Sequence, residues 1–259
     1  MENEDKQMKS TLQGRDGRNF YRKTAITIGV IYLGGMVVGI PANILIQSVL
    51  GTADPLASIA ANSTLVAIGA LLWLLAGTAV DAAHGILMFP ILKRYSERIA
   101  FGYFGARIMD AVFVGVMALL ILFQLPLASE YVKAGASDTS YLQGLSSVFM
   151  QAQLYAYHFG MLTVGFAGVM LNFVLYRAQL LPRVLAVWGL VGYAVILFGS
   201  VLEVLGFNLM MIQTLPGGLW EVFIGGVWLI AKGFSSLPAR SEQTMPSMVP
   251  APAVGSATA

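Results

Sequence analysis

DAAHGILMFPILKRYSERIAFGYFGARIMD, residues 81–110, is the stretch on which the reading of this chain turns. Its centre carries Lys93, Arg94 and Arg98, and it runs into apolar sequence on either side, 65–91 before and 101–126 after. Two apolar runs joined by a short basic turn describe a helical hairpin that crosses a membrane and keeps its turn in the cytoplasm. The flanks also carry Asp81, His84, Arg107 and Asp110, four ionisable residues at positions such a hairpin buries.

The pattern extends over the chain. Further apolar stretches occupy 25–47, 146–175, 184–206 and 212–234. Basic residues fall in alternate gaps: Lys6, Lys9, Arg15, Arg18, Arg22 and Lys23 before the first stretch, the 93–98 group, Arg177 with Arg183, and Lys232 with Arg240. The other gaps hold only Lys133, and Arg107 lies within a stretch. This alternation predicts an all-α, polytopic membrane bundle of six transmembrane helices with N and C termini cytoplasmic.

Composition agrees. The chain is 57% apolar and 11% charged, against about 45–50% and 25% in soluble domains. Each stretch is long enough for a ~30 Å hydrocarbon core, which needs about 20 apolar residues. Helices are required because lipid cannot satisfy an open backbone, and the short alternating segments of a membrane barrel are absent. The chain has no cysteine, which excludes disulfides, thiolate nucleophiles and Cys-ligated metals. The net charge of +2 is spread without a compact patch of interleaved aromatics, so the expected partner is the lipid bilayer and not nucleic acid. The domain reading is a polar cytoplasmic tail over 1–23, a six-helix domain over 24–234, and a Pro/Ser/Ala/Met-rich tail over 235–259, both tails expected to be disordered. The segment from Leu127 to Leu145, with Glu130, Lys133, Asp138 and the run Ala134-Gly135-Ala136-Ser137-Asp138, is expected as the longest external loop. Pro41 and Pro90 interrupt their helices, and Pro126 is expected to end the third.

Every intramembrane charge needs a reason, since insertion alone costs about 2.5–3.5 kcal/mol. At ~1.5 Å per residue from the basic anchors, His84 and Arg107 lie about 13 Å deep, and Asp81 and Asp110 about 18 Å. Both pairs are spaced i,i+3, so each shares a helix face. An antiparallel hairpin then sets the four at matching levels, with Arg107 neutralised by Asp81 or Asp110 and His84 as a further partner. One use is a helix clamp; another is a proton relay or binding pocket, favoured by the spare carboxylate. A second group, His158, Glu203 and Glu221, is expected in the outer half, with Glu221 about 16 Å and His158 about 28 Å from the inner anchors. Gln151, His158, Gly165 and Asn172 recur every seven residues as a polar and small seam. Histidine with two glutamates suits Zn, Mn or non-haem Fe, but no HExxH-like spacing is present, so no metal and no cofactor is expected. Bis-histidine haem would need His84 and His158 at one level, and they differ by roughly 15 Å. Gly35 and Gly39 form a small-residue face for close helix packing, within the chain or in a homo-oligomer.

Several phrases resemble one family: RKTAITIGVIYL at 22–33, LKRYSERIAFGYFGARIMDAVF at 92–113, EYVKAGASDTSYLQGL at 130–145, LYRAQLLPRVLAVWGLVG at 175–192 and WEVFIGGVWLIAKGF at 220–234. Their order and spacing are similar to those of domain-of-unknown-function family 4386, uncharacterised bacterial polytopic membrane proteins. The resemblance implies a six-helix protein of the bacterial cytoplasmic membrane and no assigned activity or cofactor. Residues and resemblance together lead to two expectations. The first is small-solute or proton permeation, transport or membrane sensing, with the substrate unknown and a water-accessible cavity joining the inner four residues to Glu221 and His158. The alternative is a membrane-embedded enzyme acting on lipid or a similar substrate through the outer His and Glu residues.

Overall fold

The computed structural model describes residues 2–135 and 139–235, with side chains described from Tyr21 onward except at 210 and 211. The expected C-terminal tail from residue 236 and the loop residues 136–138 lie outside the described residues. Within them the chain is helical: α1 Glu2–Leu50, α2 Pro55–Ala61, α3 Ser63–Lys93, α4 Glu97–Leu122, α5 Gln124–Ala134, α6 Ser140–Arg177, α7 Arg183–Val204, α8 Met210–Trp220, a π-helical stretch Glu221–Trp228, and α9 Leu229–Ala231. Six helical segments are long and apolar enough to cross a membrane: Tyr21–Leu50, Ser63–Lys93, Glu97–Ala134, Ser140–Arg177, Arg183–Val204 and Ile212–Ala231. This is the expected all-α, six-span bundle.

Local chemistry sets the turns. Ser96 caps α4, its Oγ accepting from the Ile99 N–H at 3.3 Å, so the hairpin turns within Arg94–Ser96. Asp54 caps α2 in the same way, with Pro55 in the first turn where no N–H is needed. Gly206 (φ 95°) and Gly233 (φ 73°) end the last two long spans in the left-handed region.

Two regions differ from the sequence reading. The segment expected as a long loop is mostly helix: α4 turns at Phe123 and continues as α5 to Ala134. Pro126 lies in the first turn of α5, where it removes no helical hydrogen bond, so it does not end the span. Lys133 pairs with Glu130 at 2.8 Å along that helix. The backbone is also helical through 2–20, expected as a loose tail. That segment lacks proline and is rich in Glu, Lys, Gln and Arg, which favour helix.

The spans pack in chain order, and the last closes on the first: α1 lies against α3, α3 against α4, α4 against α6, α6 against α7 and α7 against α8. The π-helical stretch and α9 then return to α1, whereas α8 has no comparable packing against it. One face of the bundle, the face of the chain ends, gathers the start of the first span and the end of the last. Arg22 Nη2 donates to the Ile230 carbonyl at 2.8 Å, Arg94 lies 4.7 Å from the Tyr21 ring centre, and the Ser235 N–H reaches the Leu180 carbonyl at 2.9 Å. On the opposite face the Tyr131 hydroxyl donates to Asp54 Oδ2 at 3.0 Å. The core falls into two apolar clusters, one toward each face, with polar residues between them. Gly35 is used inside the chain, since a Cβ there would run into the Val80 side chain of α3.

Candidate functional site

The α3–α4 hairpin delivers the four residues expected of it to one point. The helices approach closely there, because a Cβ on Gly85 would lie 3.4 Å from the Arg107 Cβ. Arg107 Nη2 is 2.8 Å from Asp81 Oδ1 and 2.9 Å from His84 Nδ1, and Nη1 is 3.8 Å from Asp110 Oδ2. All four side chains are buried. A guanidinium only donates, so His84 accepts at Nδ1 and carries its proton at Nε2. The Tyr32 ring of α1 lies on the imidazole, centroids 3.9 Å apart. Asp81 is also a charged neighbour of Asp110.

Glu221 belongs to this group and not to the outer one in which the sequence reading set it. Its Oε1 accepts from the Tyr193 hydroxyl at 2.7 Å, and the Tyr32 hydroxyl donates to it as well. Arg107 and Asp81 are its charged neighbours. The position is fixed from α7, where Trp188 Nε1 donates to the Pro216 carbonyl at 3.2 Å and Trp220 Nε1 to the Leu185 carbonyl at 2.8 Å. Glu221 is also the first residue of the π-helical stretch, a departure from α-helix frequently found at functional sites. Gly225 and Gly226 of that stretch meet Tyr32 and Leu33 of α1.

His158 and Glu203 form a separate pair nearer the opposite face, 3.7 Å apart at Nε2 and Oε2. Glu203 Oε1 also accepts from the Leu209 N–H. Among the described residues no three His, Asp or Glu side chains are arranged to share a metal ion.

A cavity of about 300 Å³ opens above Arg107. Asp81, Arg107, Asp110 and Glu221 line it, with the aromatic rings of Tyr32, Trp73 and Tyr157, and apart from Thr214 the rest of the wall is apolar. His158 and Glu203 do not line it. A second cavity of about 30 Å³ lies toward the face of the chain ends, bordered by His84, Tyr103 and Tyr193. Tyr32 and Arg107 border both cavities and partition them. The sequence reading missed Tyr193 as a partner of Glu221 and the rings of Trp73 and Tyr157. The one signal pointing to the phenols was that a carboxylate at the depth of Glu221 needs donors.

Fold and site define a multi-pass integral membrane protein with a buried charged centre open to a cavity. The chain belongs to the family described as a domain of unknown function (DUF4386), whose model matches residues 27–233. No curated protein and no solved structure matches it.

Proposed function

We propose that the protein is a small transport protein of the bacterial cytoplasmic membrane in which protons pass through the central cavity. The observation that carries this reading is the charge count there: three carboxyl groups, Asp81, Asp110 and Glu221, and one guanidinium line the same space. Asp81, at 2.8 Å from Arg107, is the direct counter-ion. Asp110 at 3.8 Å and Glu221 on two phenol hydroxyls are the groups left to bind and release a proton. An intramembrane charge has a functional use more often than not, and a simple clamp would need one acid. The smaller cavity continues past His84 toward the face of the chain ends. That face carries Arg22, Lys93, Arg94, Arg177, Arg183 and Lys232, which supports a cytoplasmic orientation for it and for both termini. The enzyme alternative has less support, since Glu221 sits with Arg107 and leaves His158 with Glu203 alone.

The test is the collapse of an imposed pH gradient in sealed vesicles holding the purified chain, with voltage clamped by potassium and valinomycin. The gradient is expected to collapse faster than in protein-free vesicles, and Glu221→Gln or Asp110→Asn should return the rate to the protein-free value at unchanged yield. A wild-type rate equal to the protein-free rate contradicts the proposal.

A further inference from the structure

We infer that the central cavity takes up an amphipathic organic cation sideways from the bilayer, through a slot between α1 and α8. This rests on the transport reading above and gives that site a ligand class.

The slot follows from packing. Among the described residues α1 packs against the sixth span chiefly through the π-helical stretch and α9, so the bundle wall closes toward the chain ends and is weakly closed beside α8. The cavity reaches this gap: Gly39 and Ile40 of α1 and Thr214 and Gly218 of α8 line it. Ile40 lines the cavity and is still 57% exposed, which puts it at the rim, and Leu215 next to Thr214 is 59% exposed. Apolar side chains at a rim inside a membrane-spanning segment face lipid. A molecule entering there crosses hydrocarbon, so it needs an apolar body.

The ligand's charge follows from the far end of the same cavity. Three carboxyls face one guanidinium, so the site lacks positive charge unless protons or an added cation supply it. The one guanidinium is already shared by Asp81 at 2.8 Å, His84 at 2.9 Å and Asp110 at 3.8 Å, and Arg107 is 4% exposed, so the existing cation does not balance the three acids. The rings of Tyr32, Trp73 and Tyr157 add faces that attract an ammonium group. A volume of about 300 Å³ is at the lower end of ligand sites, enough for an ammonium head and part of a chain whose remainder lies in the slot. An anion would meet carboxylates, and a neutral molecule would leave the charge uncompensated.

The probe is radiolabelled decyltrimethylammonium, a permanent single-chain cation, bound to the full chain in lipid nanodiscs and counted above empty discs. Saturable binding is expected, with decyl sulfate failing to compete. Glu221→Gln and Asp110→Asn should each weaken binding at least tenfold. Gly218→Phe should do the same with every charge intact, because a Cβ on Gly218 meets no atom within 4 Å and the ring can occupy the portal. Binding no greater than that of empty discs, equal competition by decyl sulfate, or unchanged affinity in Gly218→Phe overturns the inference. The vesicle proton assay fails or succeeds independently. Proton flux without cation binding removes the ligand class alone, and cation binding without proton flux removes the proton reading alone.

Discussion

In the half of the bundle nearest the chain ends all six spans meet in one core, from Ala25 and Ile28 of α1 through Leu92, Ala100, Leu175 and Tyr193 to Trp220 and Leu229. In the other half the core is built from Ile46, Leu56, Val66, Ile121, Ala128 and Leu142, and neither α7 nor α8 contributes to it. The charged centre lies between a sealed end and an end joined on one side only. That difference shows how a short membrane protein can hold buried charge and still reach it. The sealed half fixes the geometry of Arg107, and the incomplete half leaves the cavity and its slot.

The largest expected effect comes from the boundary between the halves. Arg107→Leu leaves Asp81, Asp110 and His84 without their cation, and removing one partner of a buried ion pair costs about 3–5 kcal/mol. Unfolding of the detergent-purified variant should show that loss, with part of it recovered in Arg107→Leu/Asp81→Leu. A stability equal to wild type would mean that the guanidinium does not hold the hairpin. A smaller loss is expected in the sealed half. A Cβ on Gly168 would overlap the Tyr193 ring, so Gly168→Ala should cost about 1–3 kcal/mol by overpacking, read from the same unfolding curves. In the half away from the chain ends, Ser146 Oγ donates to Gln124 Oε1 at 2.7 Å and Gln124 Nε2 to the Ser146 carbonyl at 3.0 Å, both side chains buried. Ser146→Ala should cost about 1 kcal/mol, the scale of one hydrogen bond; an effect as large as that of Gly168→Ala would erase the contrast. The smallest effect reverses sign. Gly218→Ala, at the slot, meets open space and should gain up to about 1 kcal/mol from helix propensity alone. A thermal midpoint that falls in this variant would show that α8 is packed there after all.

The parts legible in the sequence are those governed by local rules. Loop charge and apolar length gave the six spans, and i,i+3 spacing with depth counted from Lys93 and Arg98 gave the Asp81–His84–Arg107–Asp110 group. The depth of Glu221, about 16 Å by the same count, already matched that group. What the sequence could not supply was the azimuth, which depends on the π-helical stretch beginning at Glu221 and on the phenols of Tyr32 and Tyr193 from two other spans. Residues 127–134, helical as part of α5, fall in the segment expected as loop because their charges and the following Gly135 outweighed a sequence otherwise able to form helix. The slot had no signature, since it depends on how little α1 packs against α8 among the described residues.

The unequal closure of the two halves is measured most directly by two spin-label distances. The chain has no cysteine, so labels attach only where cysteines are introduced. One pair, at Ile40 and Leu215, spans the slot; the other, at Lys23 and Lys232, spans the sealed end; all four positions are exposed. A single narrow distance is expected at the sealed end and a broad or two-peaked distribution across the slot in lipid nanodiscs. Equally narrow distributions for both pairs would contradict that unequal closure.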